Sequence, residues 1–181
     1  MKTKKFAAAV AVALSALSVN PPETSASISN ALETSADIPE EAASFNGHHY
    51  LLIDVDSATW LEAHNFCKSH GGHLATITSS DEQNFISNLI QSEGYKNNYW
   101  IGGYKDRKGT WRWITNEKFA FTAWASDEPN NFRDQENCLM MYGPSHSQVG
   151  LWNDIRSDGF SRDDDTFFLA RNFGIICEWD Y

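Results

Sequence analysis

The hydrophobic pattern changes period near the middle of the chain. Tyr50-Leu51-Leu52-Ile53 reads as a strand. Thr59 then opens a helix: Thr59 and Glu62 have capping-box spacing, in which each side chain satisfies an orphan N–H at the helix start. Trp60, Ala63 and Cys67 follow at helical spacing, which turns Cys67 toward the core. Gly71-Gly72 ends this helix, because glycine accepts the left-handed turn at a C-terminus. A second helix is predicted from Ser80, with Gln83 in the capping-box position. Phe85, Ile86, Leu89 and Ile90 form its apolar face, and Gly94 is its stop. Beyond Gly94 the pattern becomes short strands and turns, with strands predicted over 99–104, 110–114, 138–142, 151–154 and 174–179. A polar stretch over 121–137 follows neither period. A long loop inside a compact domain is usually functional or disordered.

The first quarter of the chain has a different character. Lys2, Lys4 and Lys5 precede an apolar run over 6–17, and small residues follow. This predicts an export signal over 1–18. The run is shorter than the roughly 20 apolar residues that a membrane span needs. The mature chain is therefore expected outside the cell or in the periplasm, with no membrane span. Residues 19–43 are rich in Pro, Ser, Thr, Ala and Glu and predict a flexible acidic linker. Large apolar and aromatic residues return at Phe45, which sets one domain at 44–181.

The formal charge of −10 makes the chain a poor partner for nucleic acid or an anionic membrane, and is compatible with cation binding. Three cysteines, Cys67, Cys138 and Cys177, in an exported chain predict one disulfide and one remaining thiol. Arithmetic alone does not choose the pair. Neither a Gly-x-Ser-x-Gly elbow nor a His-Glu-x-x-His zinc sequence occurs, so no catalytic residues are assigned and no enzyme is expected. His70 and His73 beside Gly71-Gly72 are weak evidence for a metal without further ligands. Asp163-Asp164-Asp165 reads as a solvated loop before it reads as a cation site.

The chemistry gathers at the irregular stretch and just after it. Calcium takes six to eight oxygen ligands from carboxylates, amides, backbone carbonyls and water. Glu128, Asn130, Glu136, Asn153 and Asp154 offer such a set. A cis bond at Pro129 would put the Glu128 and Asn130 side chains on one side of a tight bend. Trp152, as a buried ring, would anchor Asn153-Asp154 at a strand end.

In this order and spacing, these residues resemble the C-type lectin-like domains. Glu128-Pro129-Asn130 looks like the family's Glu-Pro-Asn sugar sequence. Glu136 matches the Glu two residues before a cysteine, here Cys138, and Trp152-Asn153-Asp154 looks like the Trp-Asn-Asp sequence. Trp100-Ile101-Gly102-Gly103 is similar to the core strand Trp-Ile-Gly-Leu, with Gly103 in the last place. The resemblance covers about 45–181. It implies an α+β fold of two helices, small antiparallel sheets and a long calcium-binding loop. It also implies a Cys67–Cys177 bridge and one Ca2+ held by Glu128, Asn130, Glu136, Asn153 and Asp154. Through that ion the domain would bind mannose, fucose or N-acetylglucosamine on cell-surface glycans or glycoproteins, with oligomers supplying avidity. The alternative is an adhesion or protein-interaction module that calcium only stiffens.

Three departures from the family pattern stand out. Asn131 and Asn137 occupy acidic positions of a second calcium site, and Lys108 stands where an acid would help, so one ion is expected. Cys138 lacks the family partner expected soon after Asp154. A polar segment over 156–165 reads as an insertion near the site.

Overall fold

A computed structural model describes residues 38–55, 58–159 and 172–180. The predicted signal, most of the linker, most of the 156–165 insertion and the Asp163–Asp165 run lie outside the described residues.

Helix α1 (Trp60–Ser69) forms as the sequence dictates. The Thr59 side chain accepts from the Glu62 N–H while Glu62 accepts from the Thr59 N–H, closing the capping box. At the other end Gly71 is left-handed (φ 77°), and the Gly72 N–H donates to the Cys67 carbonyl at 3.0 Å. Helix α2 (Ser80–Glu93) begins at Ser80 as expected, but its cap lies one residue before the one that Gln83 in the box position implies. Its cap is Ser79, whose hydroxyl accepts from the Glu82 N–H. Glu82 thus occupies the box position, but its carboxylate accepts from Thr78 N–H and Tyr50 O–H instead. Gln83 turns inward, donating to the Gly150 carbonyl and accepting from Trp152 Nε1.

Among the described residues, eight strands make a mixed sheet: β1 (Ala43–Phe45), β2 (His48–Ile53), β3 (His73–Leu74), β4 (Asn98–Lys105), β5 (Trp111–Trp113), β6 (Cys138–Tyr142), β7 (Trp152–Ile155) and β8 (Phe173–Asp180). The order is β1-β2-β8-β4-β6-β7, with β3 beside β8 and β5 beside β4. The fold class is the expected α+β. The strands join in one continuous sheet, however, and β4 runs parallel to β8 while the other pairings are antiparallel. The short strands β1 and β3 were not legible from pattern.

The central strands are buried on both faces, so consecutive residues enter two different cores. Tyr99, Ile101, Leu139, Met141, Trp152 and Ile176 pack with Ile86, Leu89 and Ile90 of α2. Trp100, Met140, Ile155, Ile175 and Trp179 pack with Trp60, Ala63 and Cys67 of α1. Gly103 on β4 makes room for the Leu139 side chain, which fills the place that a Cβ would take. Cys67 and Cys177 are bonded, with Cα atoms 5.5 Å apart. Cys138 is a free, buried thiol, and burial pushes its pKa up to about 12, which makes it a poor nucleophile.

A buried polar cluster ties α2 to the sheet. The Tyr50 hydroxyl lies 2.7 Å from Glu82 Oε1 and 3.2 Å from Glu178 Oε1, and the Thr76 N–H donates to Glu178. Burial raises the Glu178 carboxyl to about 9; the Thr76 bond opposes this, while Glu82 and Asp180 add to it.

Candidate functional site

The irregular stretch is fastened at its base by β7. The Ala125 N–H donates to the Trp152 carbonyl and the Trp152 N–H to the Ala123 carbonyl, each at 2.8 Å. The Trp152 ring is fully buried. Trp113, Trp124, Phe119 and Phe121 meet it edge-on, and its N–H reaches Gln83. This fixes Asn153 and Asp154, the next residues on β7, against the core.

From that base the chain folds back on itself. The Glu128–Pro129 bond is cis. Asp127, Asn131, Arg133 and Asp134 all have positive φ, between 47° and 67°. Left-handed backbone costs a non-glycine residue on the order of 1 kcal/mol or more, and such residues cluster at functional sites. The cost is offset by backbone N–H groups that converge on carboxylates. Asn130 N–H donates to Glu128 Oε2 and Asp154 Oδ1, both at 3.0 Å. Asn131 N–H donates to Asp154 Oδ2 at 3.1 Å, and Phe132 N–H to Glu136 Oε2 at 2.9 Å. The Asn131 amide oxygen in turn accepts from Glu136 N–H.

Glu128, Asn130, Glu136 and Asp154 are therefore brought together, and Asn153 adjoins them on β7. Glu136, Asn153 and Asp154 are buried, Glu128 is half-buried and Asn130 is exposed. The cluster carries excess negative charge. Burial raises the Glu128 carboxyl to about 7, opposed by the Asn130 N–H and reinforced by Asp154 and Glu136. Burial also raises Glu136, with Asp154 adding to the effect and Phe132 N–H and Lys105 opposing it. Tyr142 is raised to about 12 by burial and then by the same three carboxylates. The buried Asn153 Oδ1 has no hydrogen-bond partner among the described residues. An unpaired buried oxygen beside crowded carboxylates is a fit for a hard cation, which would supply the missing interaction to each.

Lys105 is a charged group at the site that the sequence did not reveal. Its ammonium lies 3.2 Å from Asp154 Oδ2 and 2.9 Å from the Glu136 carbonyl, over the Trp111 ring. Lys108, singled out in the sequence, instead helps to close the β4–β5 turn: its N–H donates to Asp106. No local pattern joins Lys105 to an Asp 49 residues away.

The lectin C-type domain model matches residues 56–160, and the chain belongs to the C-type lectin family, whose members are binding domains and not enzymes. Mouse C-type lectin domain family 4 member G is 34% identical over 114 residues, covering 61% of this chain and 35% of that protein. The chain thus spans about a third of that relative's length. The C-type lectin domain of murine dendritic cell inhibitory receptor 2, solved with an N-glycan, is 29% identical with a TM-score of 0.61, covering 80% of this chain and 100% of that one. The cow CD23 carbohydrate-recognition domain, solved in the presence of a GlcNAc2Man3 oligosaccharide, is 26% identical with a TM-score of 0.62, covering 80% and 97%. Among the described residues no helix is long and apolar enough to cross a membrane.

Proposed function

We propose that this domain binds one calcium ion through Glu128, Asn130, Glu136, Asn153 and Asp154, and through it a mannose-type sugar outside the cell. The observation that carries the reading is the meeting of three raised or crowded carboxylates with the unpartnered oxygen of Asn153. The ion, when bound, supplies a Lewis-acidic centre for two vicinal sugar hydroxyls. The chain's own groups complete the contact. Carboxylates only accept, so Glu128 and Glu136 take hydrogen bonds from the hydroxyls, while the Asn130 and Asn153 amides donate to them. The Glu-Pro-Asn order favours mannose, fucose or N-acetylglucosamine over galactose in the family that the chain resembles. The mouse domain solved in complex with an N-glycan and the cow domain solved in the presence of an oligosaccharide support a glycan ligand.

A single ion is favoured over two. Lys105 already places a cation against Asp154, and Asn131 spends its side chain on Glu136 and Asp134. The exposed ring of Phe132 in this loop favours a second reading, in which calcium stiffens a protein-binding surface. A glycan array with and without a calcium chelator separates the two. Chelator-sensitive binding to mannose-type glycans supports the first. Intact calcium binding with no glycan signal supports the second.

A further inference from the structure

Strands β2, β8 and β3 lie side by side at the opposite end of the sheet from β7. In antiparallel pairs, residues directly opposite share a face, and so do alternate residues along one strand. His48 stands opposite Asp180 and Tyr50 opposite Glu178; across β8, His73 also stands opposite Glu178. His48, His73, Glu178 and Asp180 therefore project from one face of three strands. His48 Nδ1 lies 2.7 Å from Asp180 Oδ1 and 2.9 Å from Glu178 Oε1. His73 Nε2 lies 3.0 Å from Asp180 Oδ2, and its Nδ1 meets the Leu74 carbonyl at 2.9 Å. One ligand atom each from His48, Glu178 and Asp180 falls within 4.8 Å of the others.

We propose that His48, Glu178 and Asp180 bind a divalent cation of the zinc class, with His73 orienting Asp180. Zinc takes imidazole nitrogen and carboxylate oxygen at about 2.0–2.2 Å, and three such ligands leave a fourth position for water. The imidazole selects zinc over calcium, which prefers an all-oxygen shell. Ligands of one ion stand slightly farther apart than ion-paired groups. The His48 and Asp180 side chains, 36% and 55% exposed, are free to widen by rotation. His73 fits the role of an outer partner, because it holds the second Asp180 oxygen and is itself held by the Leu74 carbonyl. Charge points the same way. Glu178 is buried beside Glu82, and among the described residues no lysine or arginine pairs with either carboxylate. The ion ties the last strand to the second, in the half of the sheet away from β7.

Equilibrium dialysis against Zn2+ with metal analysis, and Co2+ absorption as a probe of tetrahedral geometry, test this on the full chain. The protein and its Glu128→Gln variant are expected to take up one equivalent of zinc. His48→Gln, at a half-buried position, and Asp180→Asn, at an exposed one, should weaken uptake by roughly tenfold or more, and His73→Gln by less. Zinc affinity unchanged in either His48→Gln or Asp180→Asn overturns the assignment, as does no uptake by the parent protein. Loss of zinc in Glu128→Gln would place the ion in the loop and also overturn it. None of these readouts depends on sugar binding, so this site and the proposed lectin site stand or fall separately.

Discussion

Helix α1 and the loop over 121–137 are built by opposite means. The helix closes its own ends: its cap closes with Glu62, its C-terminal turn closes with Gly71 and Gly72, and its buried cysteine is bonded to β8, although the buried His64 Nδ1 has no partner among the described residues. The indoles around it are paired as well, Trp60 to the Ile101 carbonyl and Trp100 to the Ala58 carbonyl. The loop leaves its business open. It holds non-glycine residues in left-handed backbone and, with the adjoining β7, crowds three carboxylates, one of them paired with Lys105, beside the unpartnered amide oxygen of Asn153. The difference teaches where to look for function in such a fold. The framework spends most of its polar groups on itself, leaving only scattered atoms such as His64 Nδ1 and Trp113 Nε1 unpartnered among the described residues, whereas the loop and β7 gather an unpartnered oxygen and three carboxylates in one place.

If the two regions are separable, breaking the framework should cost stability without specifically touching the loop. Replacing Cys67 and Cys177 by alanine removes a bridge with a sequence separation of 110 residues. The chain-entropy model predicts a loss of about 4–5 kcal/mol, read from the urea midpoint. Calcium affinity of the remaining folded protein should change little, and a parallel loss would show that the regions are coupled.

The converse experiment alters the loop and reads the framework. The folded-state pKa of Glu128 is raised to about 7, so its contribution to stability is present at acid pH and lost as pH rises through about 7. In chelator, Glu128→Gln should therefore melt increasingly above the parent between the usual carboxylate range and pH 7. In excess calcium the order should reverse, because ligation needs the ionised form. Thermal melts across that window check both signs.

The smallest expected effect belongs to Lys105. Its ammonium balances part of the loop's charge and competes with any other cation at Asp154. Lys105→Gln should tighten calcium by a few-fold, up to about tenfold, measured by calorimetry. Weaker binding in that variant would mean that Lys105 chiefly supports the loop through the Glu136 carbonyl.

How much was legible in the sequence follows from the same contrast. The Thr59–Glu62 box and the Cys138–Tyr142 strand are local patterns and lie where they were predicted. Helix α2 starts at Ser80 as expected, but its cap is Ser79 and not the residue that Gln83 implies, because Ser79 and Ser80 are adjacent and each offers a capping hydroxyl. Strands β1 and β3 have three and two residues, too few to display a period. Four of the loop's candidate groups meet because the backbone N–H groups of Asn130 and Asn131 find Asp154. Lys105 escaped notice because its partner is remote in sequence. The strand cluster escaped for the same reason: His73 was weighed with its neighbour His70, which instead bonds back to the Phe66 carbonyl.

The most direct test of the central claim is a calcium titration of the protein beside its Glu136→Gln variant, followed by calorimetry. The predicted result is one fewer equivalent of calcium in the variant, with mannose-type glycan binding lost alongside it. An unchanged number of calcium equivalents at unchanged affinity would contradict the assignment of the ion to this loop.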